Sequence, residues 1–463
     1  MSKKNKINRR QFLTSATVAT VGAATIGTAG LLTSCSGGSG AKAGNTAKQP
    51  IERLKNYRIP TLTDMAVDGK TIKVGLVGCG GQGTGDLLNM LKAANGIEIV
   101  ALGDAFQDKV DGARGRIKEN TGIEVPADKC FAGLDAYQKV IDSGIDLVML
   151  ATPPLFYSQH FEAAIRAGKH VFMEKPVSID VAGSLKILAT SKIAETQGLS
   201  VVVGTLYRHQ RSYVEAFKQI ADGAIGEITG GTVYYNTGMS WYRSREKGWS
   251  DTEYMLRDWP NWYWLSGDHI IEQHIHNIDI FNWFCGLKPI NATSFGARMR
   301  RFAGDCYDFF STDFVFENNV HMHSMCRQID GCTNNVSNVI QGTHGVWMNV
   351  PQSRSELLDI DGNSIWKWDF EKEKQEYKQT NAYVLELVDL ITAIRTNKPV
   401  NEVEAAISSS FLGIMGRESA YTGKTITFDE LRAMNMDFMP ADLRMDGSMD
   451  MSKFHVPIPG TGK

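Results

Sequence analysis

The chain has almost no excess charge of either sign. Its 463 residues include 49 Lys and Arg against 51 Asp and Glu, which gives a formal net charge of -2. Proteins that bind nucleic acid usually carry a basic surplus or a basic stripe. The balanced composition therefore gives no electrostatic reason to expect a nucleic-acid partner, and we predict none.

Cysteine is scarce, with seven in the whole chain and no Cys-x-x-Cys spacing. Zinc ribbons and thioredoxin-like proteins use that spacing, so both classes are excluded. Six cysteines follow the N-terminal segment. In an oxidising compartment Cys326 and Cys332 are candidates for a disulfide, and the sequence leaves open whether they pair.

Long apolar runs are also missing. The uncharged segment 15–32 has only 18 residues and many Thr and Gly, which is too short and too polar for a permanent membrane span. It follows a basic start that contains Arg9 and Arg10, an order that predicts export by the twin-arginine route. The following Leu-Thr-Ser-Cys resembles a lipobox and predicts lipidation of Cys35.

We therefore expect an exported protein that is periplasmic or a membrane-anchored lipoprotein, and that touches the membrane only through its lipid. A plain secretory signal with an incidental cysteine is the alternative. The residues that follow, 36–49, are rich in Gly, Ser, Ala and Lys and show no apolar periodicity, as is typical of a tether.

The most informative segment is a strand that leads directly into Gly-x-Gly-x-x-Gly. The apolar residues 73–77 precede Gly78, Gly80 and Gly83, and an amphipathic helix follows from about residue 86. The first glycine allows a tight turn, the second lets the backbone approach a pyrophosphate, and the third lets the helix pack on the strand. The helix N-terminus then directs unpaired N–H groups at the phosphates, so the pattern predicts a dinucleotide site.

The next strand, 97–103, ends at Asp104, which lies 21 residues after Gly83. A carboxylate there accepts hydrogen bonds from the adenosine ribose and repels a 2′-phosphate, so we predict NAD rather than NADP. A glycine-rich turn with a capping Asp in an unrelated α/β protein is the alternative. The predicted cofactor-binding residues are Gly78, Gly80, Gly81, Gln82, Gly83, Asp104, Thr152, Pro153, His160, Glu174 and Lys175.

Export and NAD binding together constrain the mechanism. The twin-arginine route moves proteins that are already folded, and free NAD is scarce outside the cytoplasm. The nucleotide must then be loaded before export and held without exchange. A cofactor that cannot leave has to be reset in place, either by a second substrate or within one catalytic cycle.

Strands and helices alternate up to residue 205, and the apolar run 146–151 is typical of a parallel strand covered on both faces. After Tyr207 longer strands rich in β-branched and aromatic residues appear, and helical periodicity returns near the end. We predict an α/β fold class, with an N-terminal Rossmann doubly wound parallel sheet and a C-terminal α+β domain whose sheet is mostly antiparallel. The predicted later strands are 228–236, 293–301, 313–316 and 321–327, and the predicted later helices are 383–395 and 403–421.

The expected organisation has five parts. They are 1–35, a twin-arginine-type signal with a lipobox; 36–70, a linker and lead-in; 71–205, the NAD-binding Rossmann domain; 206–435, the substrate-binding and catalytic domain; and 436–463, a C-terminal tail. A homo-oligomer is expected.

Two short segments follow strands at the sheet edge where ligands bind. Residues 151–154, Ala-Thr-Pro-Pro, close the fourth strand, where rigid prolines support the nicotinamide side. Lys175 follows the fifth strand and is expected to project into the crevice, while Pro176 cannot continue the sheet. A solvated lysine is the alternative to a functional one.

The polar segment 268–279 has the spacing of one helical face if Asp268 caps a helix. The residues that would share this face are His269, Glu272, His276 and Asp279. One interpretation makes His276 a general base oriented by a carboxylate, another makes the cluster a metal site, and a third makes it a polar structural face. The segment lacks His-Glu-x-x-His and has no matching ligand group elsewhere, so we assign no metal.

On these residues the chain resembles the Gfo/Idh/MocA oxidoreductase family. The resemblance covers about residues 71–425 and rests on the glycine motif, on 151–154, on Glu174-Lys175-Pro176 and on 276–279. It implies a Rossmann domain followed by an open, largely antiparallel sheet, with sugars or cyclitols as substrates.

The resemblance also implies roles for single residues. Lys175 would contact the reacting hydroxyl and the nicotinamide, and His276 would take the hydroxyl proton. The family usually has Asp four residues before this histidine, where the chain has Glu272. The predicted catalytic residues are therefore Lys175, His276, Glu272 and Asp279.

Five of the nine tryptophans lie between residues 241 and 264, among several Arg and Asp residues. Aromatic faces stack on pyranose rings, although core packing is the alternative for about half of them. Because the segment directly precedes the proposed catalytic helix, we predict a sugar-binding loop. The predicted substrate-binding residues are Tyr207, Arg208, Trp241, Arg257, Trp259 and Trp262.

These features predict a sugar oxidoreductase that transfers a hydride between tightly bound NAD and a ring hydroxyl of a sugar or glycoside, for example at C3. The alternative is a redox-neutral glycosidase or lyase, in which transient oxidation acidifies the neighbouring C–H, elimination follows and the hydride is returned. A non-catalytic sugar binder loaded with nucleotide is a third hypothesis, and the presence of both Lys175 and His276 argues against it.

Overall fold

The computed structural model describes residues 49–350 and 354–461. The predicted export signal, the lipobox and Cys35 lie outside these residues. Within the described ranges no helix is both long and apolar enough to cross a membrane. The cysteines in these ranges, Cys326 and Cys332 among them, are free thiols.

The first sheet contains six parallel strands. They are β1 (Ile72–Val77), β2 (Ile97–Asp104), β3 (Cys130–Ala132), β4 (Leu147–Leu150), β5 (His170–Met173) and β6 (Val201–Val203). Their order is β3-β2-β1-β4-β5-β6, which is the order of doubly wound dinucleotide-binding sheets. The strand order reverses between β1 and β4, since the chain runs outward from β1 towards β3 and then outward from β4 towards β6, and ligands bind at such a point. The predicted parallel sheet is confirmed.

Helices cover this sheet because their apolar residues recur at helical spacing. The helices are α1 (Gly81–Ala93), α2 (Gln107–Thr121), α3 (Ala136–Ile141), α4 (Tyr157–Arg166) and α5 (Val181–Thr196). In α1 the buried positions include Gly83, Leu87 and Met90, which follow one another at intervals of one helical turn. Asp180 caps α5 by accepting a hydrogen bond from the Gly183 N–H.

The second sheet has nine strands among the described residues. They are β7 (Ile228–Thr237), β8 (Pro289–Ala297), β9 (Phe309–Phe316), β10 (Val320–Gln328), β11 (Asn335–Gly342), β12 (Gly345–Met348), β13 (Glu356–Asp359), β14 (Ser364–Lys367) and β15 (Ile426–Thr427). The order is β14-β13-β12-β11-β7-β10-β9-β8-β15, and β7 and β10 are parallel while the other neighbours are antiparallel. Side chains of β9 and β10 alternate between buried and more exposed positions, as expected for a sheet covered on one face. The predicted, mostly antiparallel sheet is confirmed.

Nine further α-helices follow β6 among the described residues. They are α6 (Arg211–Ala221), α7 (Asp251–Arg257), α8 (Tyr263–Ser266), α9 (His269–Glu272), α10 (Ile275–Cys285), α11 (Phe370–Glu376), α12 (Ala382–Arg395), α13 (Val403–Thr422) and α14 (Phe428–Ala433). Helix α10 is anchored on the second sheet because the Asn277 amide donates to the carbonyls of Tyr234 and Ser337, both at 3.1 Å. Helix α12 packs on the first sheet instead, where Val384 and Leu387 share a core with Met90 of α1.

The segment 268–279 is not the single helix that its spacing predicts. It divides into α9 and α10, and the His274 N–H bonds back to the His269 carbonyl at the break. The buried His274 ring lies within hydrogen-bond distance of Ser324 on β10, with Nε2 and Oγ 2.6 Å apart. The His269 ring packs near Phe310, with centroids 5.1 Å apart, whereas the His276 ring lies beside Tyr235, with centroids 6.5 Å apart, so the two histidines have different surroundings.

Gly83 and Gly81 lie close together in α1 but differ in the space available for a side chain. A Cβ at Gly83 would lie 2.1 Å from the Gly78 carbonyl oxygen and 2.8 Å from the Ala151 Cβ, whereas a Cβ at Gly81 meets nothing within 4 Å. We expect Gly83→Ala to lower the free energy of unfolding by about 1–3 kcal/mol, because α1 must move off β1. Urea unfolding of the purified protein measures this change.

Gly81→Ala is the matched control, since it adds the same methyl group to the same helix. We expect its free energy of unfolding to stay within about 1 kcal/mol of the wild type, because alanine favours a helix and has space here. Equal effects of the two substitutions would show that close packing of α1 on β1 does not explain Gly83.

Candidate active site

A cavity of about 790 Å³ opens where β1, β2, β4 and β5 end. The first sheet contributes the glycine turn, Asp104, Thr152 and Lys175 to its walls. The second part of the chain contributes residues from the loop after β7, from α7 and from the α9–α10 region. The cavity therefore lies at the sheet edge where doubly wound folds bind their ligands.

The glycine turn has the shape that a pyrophosphate requires. Gly78 has a positive φ of 99°, and a Cβ there would lie 2.4 Å from the Ala151 carbonyl oxygen. Gly80 and Gly81 line the cavity, and a Cβ on either would enter open space. The missing side chains leave room for a phosphate group next to the N-terminus of α1, so these residues fit a bound dinucleotide.

Asp104 lies at the end of β2 with its carboxylate held in place by the backbone. The Cys79 N–H donates to Oδ2 at 2.7 Å, and the Phe106 N–H donates to Oδ1 at 3.0 Å. Burial raises the pKa of this carboxyl, and the two N–H groups oppose that effect. Asp104 lines the cavity, as its predicted role on the adenosine ribose requires.

The predicted cofactor-binding residues Thr152 and Pro153, expected on the nicotinamide side, and His160 all line the cavity. The Thr152 hydroxyl lies 3.3 Å from His160 Nδ1, and the His160 ring stacks on Tyr137 with centroids 4.3 Å apart. Burial lowers the pKa of His160 to about 3. The imidazole is therefore neutral at physiological pH and adds no positive charge beside a pyridinium ring.

Lys175 is the charged group that joins the two parts of the cavity wall. Its Nζ donates to the Glu272 carbonyl at 2.7 Å and to Glu272 Oε1 at 3.3 Å. The Gln273 amide also donates to Glu272 Oε1, at 3.0 Å, and the Tyr235 hydroxyl donates to Gln273 Oε1 at 3.0 Å. Glu272 therefore orients Lys175 in the structure, although its predicted partner is the histidine.

His276 lies in the same cavity, on the first turn of α10. The rings of Tyr207 and Tyr235 flank it, with centroids 5.6 Å and 6.5 Å from its own. Burial lowers the pKa of His276 well below its usual value, and the charge of Lys175 lowers it further. The imidazole is thus held as a neutral base within the cavity that contains the lysine.

Three buried carboxyl groups lie near Lys175 and one another, those of Asp86, Glu174 and Glu386. Gln82 donates to Asp86 Oδ1 at 2.8 Å and to Glu174 Oε1 at 3.3 Å. Among the described residues neither oxygen of Glu386, on α12, has a hydrogen-bond partner. Burial raises the pKa of Glu174 to about 7, and it raises the pKa values of Asp86 and Glu386 well above normal. This wall therefore carries less negative charge at neutral pH than its composition indicates.

Three predicted site residues lie away from the cavity. Arg208 Nε and Nη2 donate to the Asp279 carboxylate at 2.7 Å and 2.8 Å, and both side chains are buried. Trp262 is 5% exposed and packs against Phe454 of the C-terminal tail. We therefore correct the predicted catalytic role of Asp279 and the predicted sugar-binding roles of Arg208 and Trp262, because core contacts already occupy these side chains.

The other predicted sugar-binding residues have mixed placements. Tyr207, Trp241 and Trp259 line the cavity, and the two indole rings lie edge to face with centroids 6.3 Å apart. Arg257 also lines the cavity, but its guanidinium is paired with Asp108 of α2. It therefore faces the part of the cavity that Asp104 marks as the ribose end.

Among the residues that the structure describes, His209, Asp389 and Glu402 form a group compact enough to hold a metal ion. Arg58 already donates to both oxygens of Asp389, at 2.6 Å and 2.7 Å. Burial opposes protonation of His209, but the two carboxylates outweigh it and raise its pKa to about 9. With Arg58 already bound to Asp389, these contacts describe a buried ion-pair cluster.

Several cavity residues have no counterpart among the predicted sites. They are Phe106, Lys109, Tyr137, Tyr157, Tyr235, Gln273 and Tyr383. Phe106 and Lys109 lie two and five residues after Asp104, so their proximity in sequence was an available signal. Tyr383 comes from α12, far along the chain, and nothing in its local sequence indicates this position.

Two family models match the chain. Residues 72–205 match the Gfo/Idh/MocA model described as "Oxidoreductase family, NAD-binding Rossmann fold". Residues 213–348 match the Gfo/Idh/MocA C-terminal domain, and the two matches together span more than half of the chain. The chain belongs to the Gfo/Idh/MocA oxidoreductase family.

This Gfo/Idh/MocA protein is 24% identical to scyllo-inositol 2-dehydrogenase (NAD(+)) of Bacillus subtilis (strain 168). The alignment extends over 370 residues, which are 78% of this chain and 98% of the relative. It is 23% identical to alpha-N-acetylgalactosaminidase of Shewanella oneidensis over an alignment of 387 residues, which covers 80% of each of the two chains. The solved aldose-aldose oxidoreductase of Caulobacter crescentus has the same fold, with a TM-score of 0.62 at 18% identity over 77% of this chain and 99% of that one. The predictions of an NAD-binding oxidoreductase of this family and of NAD as its cofactor are confirmed.

The buried ion pair of Arg208 and Asp279 can be tested for a structural as opposed to a catalytic role. We expect Asp279→Ala to lower the free energy of unfolding by about 3–5 kcal/mol, because it leaves the Arg208 guanidinium buried without its counter-ion. Urea unfolding measures the loss.

The control is Glu227→Ala, which removes the exposed partner of Arg53 in another Arg–carboxylate pair. It should change the free energy of unfolding by less than about 1 kcal/mol. An Asp279→Ala protein that unfolds like the wild type but has lost activity would restore the catalytic role.

Proposed function

We propose that this Gfo/Idh/MocA protein oxidises a ring hydroxyl of a sugar or glycoside and transfers the hydride to a tightly held NAD. The observation that carries the proposal is the position of Lys175 and His276. The two residues come from different parts of the chain, yet they line one cavity together with the glycine turn. A cation and a neutral base beside the reacting oxygen are what this oxidation needs.

The proposed mechanism uses each side chain for one task. The glycine turn and Asp104 would hold NAD, which would supply the acceptor for the hydride of the carbinol carbon. His276, held neutral by burial and by the charge of Lys175, accepts the hydroxyl proton, and the carbonyl forms from the same C–O bond. Lys175 stabilises the negative charge that develops on that oxygen. Glu272 keeps the ammonium in place through its carbonyl and carboxylate oxygens.

A sugar or cyclitol ring is the substrate class that we propose. Trp241 and Trp259 present aromatic surface to the cavity, and such surface stacks on the apolar face of a pyranose. The similarity to the scyllo-inositol dehydrogenase also supports a ring polyol. Which carbon is oxidised, C3 of a glycoside for example, belongs to the proposal.

A second candidate is redox-neutral glycoside cleavage. The similarity to the alpha-N-acetylgalactosaminidase, over four fifths of each chain, favours it. Oxidation next to the anomeric linkage would acidify the neighbouring C–H, the aglycone would leave by elimination, and the hydride would return after water is added. The same lysine and histidine would perform the first step.

We also propose export by the twin-arginine route and lipid anchoring at Cys35. The support is the basic start with Arg9 and Arg10, the uncharged run that follows and the lipobox-like Leu-Thr-Ser-Cys. The expected homo-oligomer stays a prediction.

Replacing the lysine tests the chemistry directly. We expect Lys175→Ala to slow reduction of the bound nucleotide by glycosides about 10²–10⁴-fold, because the developing alkoxide loses its cation. The nucleotide should still be released on denaturation, since the glycine turn is intact. Absorbance of the reduced nicotinamide measures the rate, and aglycone release is followed in the same samples.

Lys109→Ala is the control, because Lys109 also lines the cavity but lies beside the ribose end. It should leave the chemical rate nearly unchanged. Stoichiometric reduction without cleavage supports the oxidoreductase, and aglycone release without net reduction supports the second candidate. Full activity of Lys175→Ala would remove Lys175 from either mechanism.

The pH profile tests the histidine. The active imidazole is neutral, and its folded-state pKa is lowered, so the acid limb of kcat/KM should lie below the ordinary value of about 6.5. Activity should therefore persist as the pH falls through 6.5. Rates measured from about pH 4 to about pH 8 locate the limb.

Glu174→Gln is the control for this profile, because Glu174 has a pKa of about 7 and lines the same cavity. The low-pH limb should remain in that variant. A limb near pH 7 that disappears with Glu174→Gln would assign the titration to the carboxyl and not to His276.

A further inference from the structure

An arginine from the second part of the chain is bonded to the Rossmann domain beside the predicted ribose site. Arg257, the last residue of α7, donates from Nη2 to Asp108 Oδ1 at 2.9 Å and from Nη1 to Asp108 Oδ2 at 3.2 Å. Asp108 lies in the first turn of α2. Two parallel N–H···O bonds of this kind are the strong form of an Arg–carboxylate pair.

Further contacts hold the guanidinium in this position. Arg257 Nε donates to Glu253 Oε1 at 2.9 Å, and the guanidinium carbon lies 3.9 Å from the centre of the Phe106 ring and 5.0 Å from that of Trp249. The Arg257 side chain is only 17% exposed. The hydrogen bond from Arg257 holds the pKa of Asp108 below its normal value, so the carboxylate is charged at any physiological pH.

The bridge joins two walls of the cavity at one end. Phe106 lines the cavity together with Asp104, and Arg257 lines it from the other side. Asp104 marks the end at which the adenosine ribose binds. Arg257 therefore connects α7 with the segment that follows Asp104, through the ion pair with Asp108 and the contact with the Phe106 ring.

We propose that Arg257, Asp108 and Phe106 form a clasp that retains NAD between turnovers. With the clasp closed, the adenosine end of the nucleotide is enclosed by α7 as well as by the Rossmann domain. Release then requires α7 and α2 to separate, which breaks both hydrogen bonds and the cation–π contact. The clasp deepens the proposed function, because it rests on the tightly held cofactor of that proposal.

The consequence is a cofactor that is reset in place. A nucleotide loaded in the cytoplasm would accompany the folded protein, and the protein would not depend on free NAD afterwards. The reduced nucleotide must then return its hydride to a second sugar or to the product of the same cycle. The enzyme would behave as a transhydrogenase or as a redox-neutral catalyst, with no net consumption of NAD.

The size of the effect follows from the geometry. Asp108 is 58% exposed, and an ordinary surface ion pair would contribute little. The bidentate pairing, the largely covered Arg257 side chain and its contact with the Phe106 ring increase the contribution. We expect loss of the clasp to accelerate nucleotide exchange about 10–100-fold, as for the loss of a hydrogen-bonded charged pair.

The test measures exchange and not turnover. Full-length protein is purified with its nucleotide, mixed with excess isotopically labelled NAD, and sampled over time for the label that it retains. Arg257→Met keeps an unbranched side chain but removes the guanidinium, and Asp108→Asn removes the carboxylate. Both variants should exchange about 10–100-fold faster than the wild type and carry less nucleotide after purification. The double variant should exchange no faster than the faster single variant.

Arg245→Met is the matched control. Arg245 pairs with Asp251 at 2.7 Å in the same segment but does not line the cavity. Its exchange rate should equal that of the wild type. Added salt should accelerate exchange in the wild type more than in Arg257→Met, because the clasp is partly exposed and salt screens its charges.

Two results would overturn the clasp. One is rapid exchange in the wild type, and the other is wild-type exchange in both Arg257→Met and Asp108→Asn with unchanged thermal unfolding. Asp108→Asn alters an exposed side chain, so it keeps the test decisive if Arg257→Met fails to fold. Failure of the proposed function has a different signature, in which exchange is slow but no sugar reduces the bound nucleotide.

Discussion

The contact between Lys175 and Glu272 is the interaction on which the site depends. A partly buried ammonium must find partners, and Lys175 finds them in the carbonyl and the carboxylate of one residue on α9. This contact ties the end of β5 to the region where α9 passes into α10. The same positive charge helps to lower the pKa of His276. One interaction therefore both joins the two parts of the cavity and prepares the base inside it.

Burial of charge continues around this contact. Arg208 and Asp279 form a closed pair beneath α10, and His209 is surrounded by carboxylates near α12. Such pairs are weak sources of stability compared with apolar packing, but they are costly to break. They therefore favour one arrangement of α10 and α12 relative to the first sheet. The cavity keeps its shape because the groups around it cannot change partners cheaply.

The proposed sugar end and the predicted ribose end of the cavity are lined from one region of the chain. Aromatic residues of the loop after β7 line the proposed sugar end, while Arg257 reaches from the same region of the chain to Asp108 at the ribose end. One segment would thus serve both proposed ligands. The proposed export with bound nucleotide would need this combination, since substrates would have to exchange freely while the cofactor stayed.

The amino-acid sequence by itself determined the parts of the molecule that depend on neighbouring residues. The strand, glycine turn and helix around Gly78 form a local unit, because the apolar run, the positive φ and the tight helix packing are set within about one βα unit. The Lys175 segment and the mostly antiparallel second sheet were predictable for the same reason. Their signals are strand ends and alternation, which do not require knowledge of distant contacts.

Only the tertiary structure decided what distant residues do. The break between α9 and α10 coincides with a contact of His274 with Ser324 on a strand about fifty residues later, so helical spacing alone misplaced His269 and Asp279. Trp262 and Arg208 are residue types suited to a sugar site, yet core partners occupy them. Arg257 was predicted to bind sugar, and in the structure it is bonded to Asp108 near the predicted ribose site. The periodicity of residues along a helix predicts which side chains share a face, but tertiary packing determines which groups that face contacts.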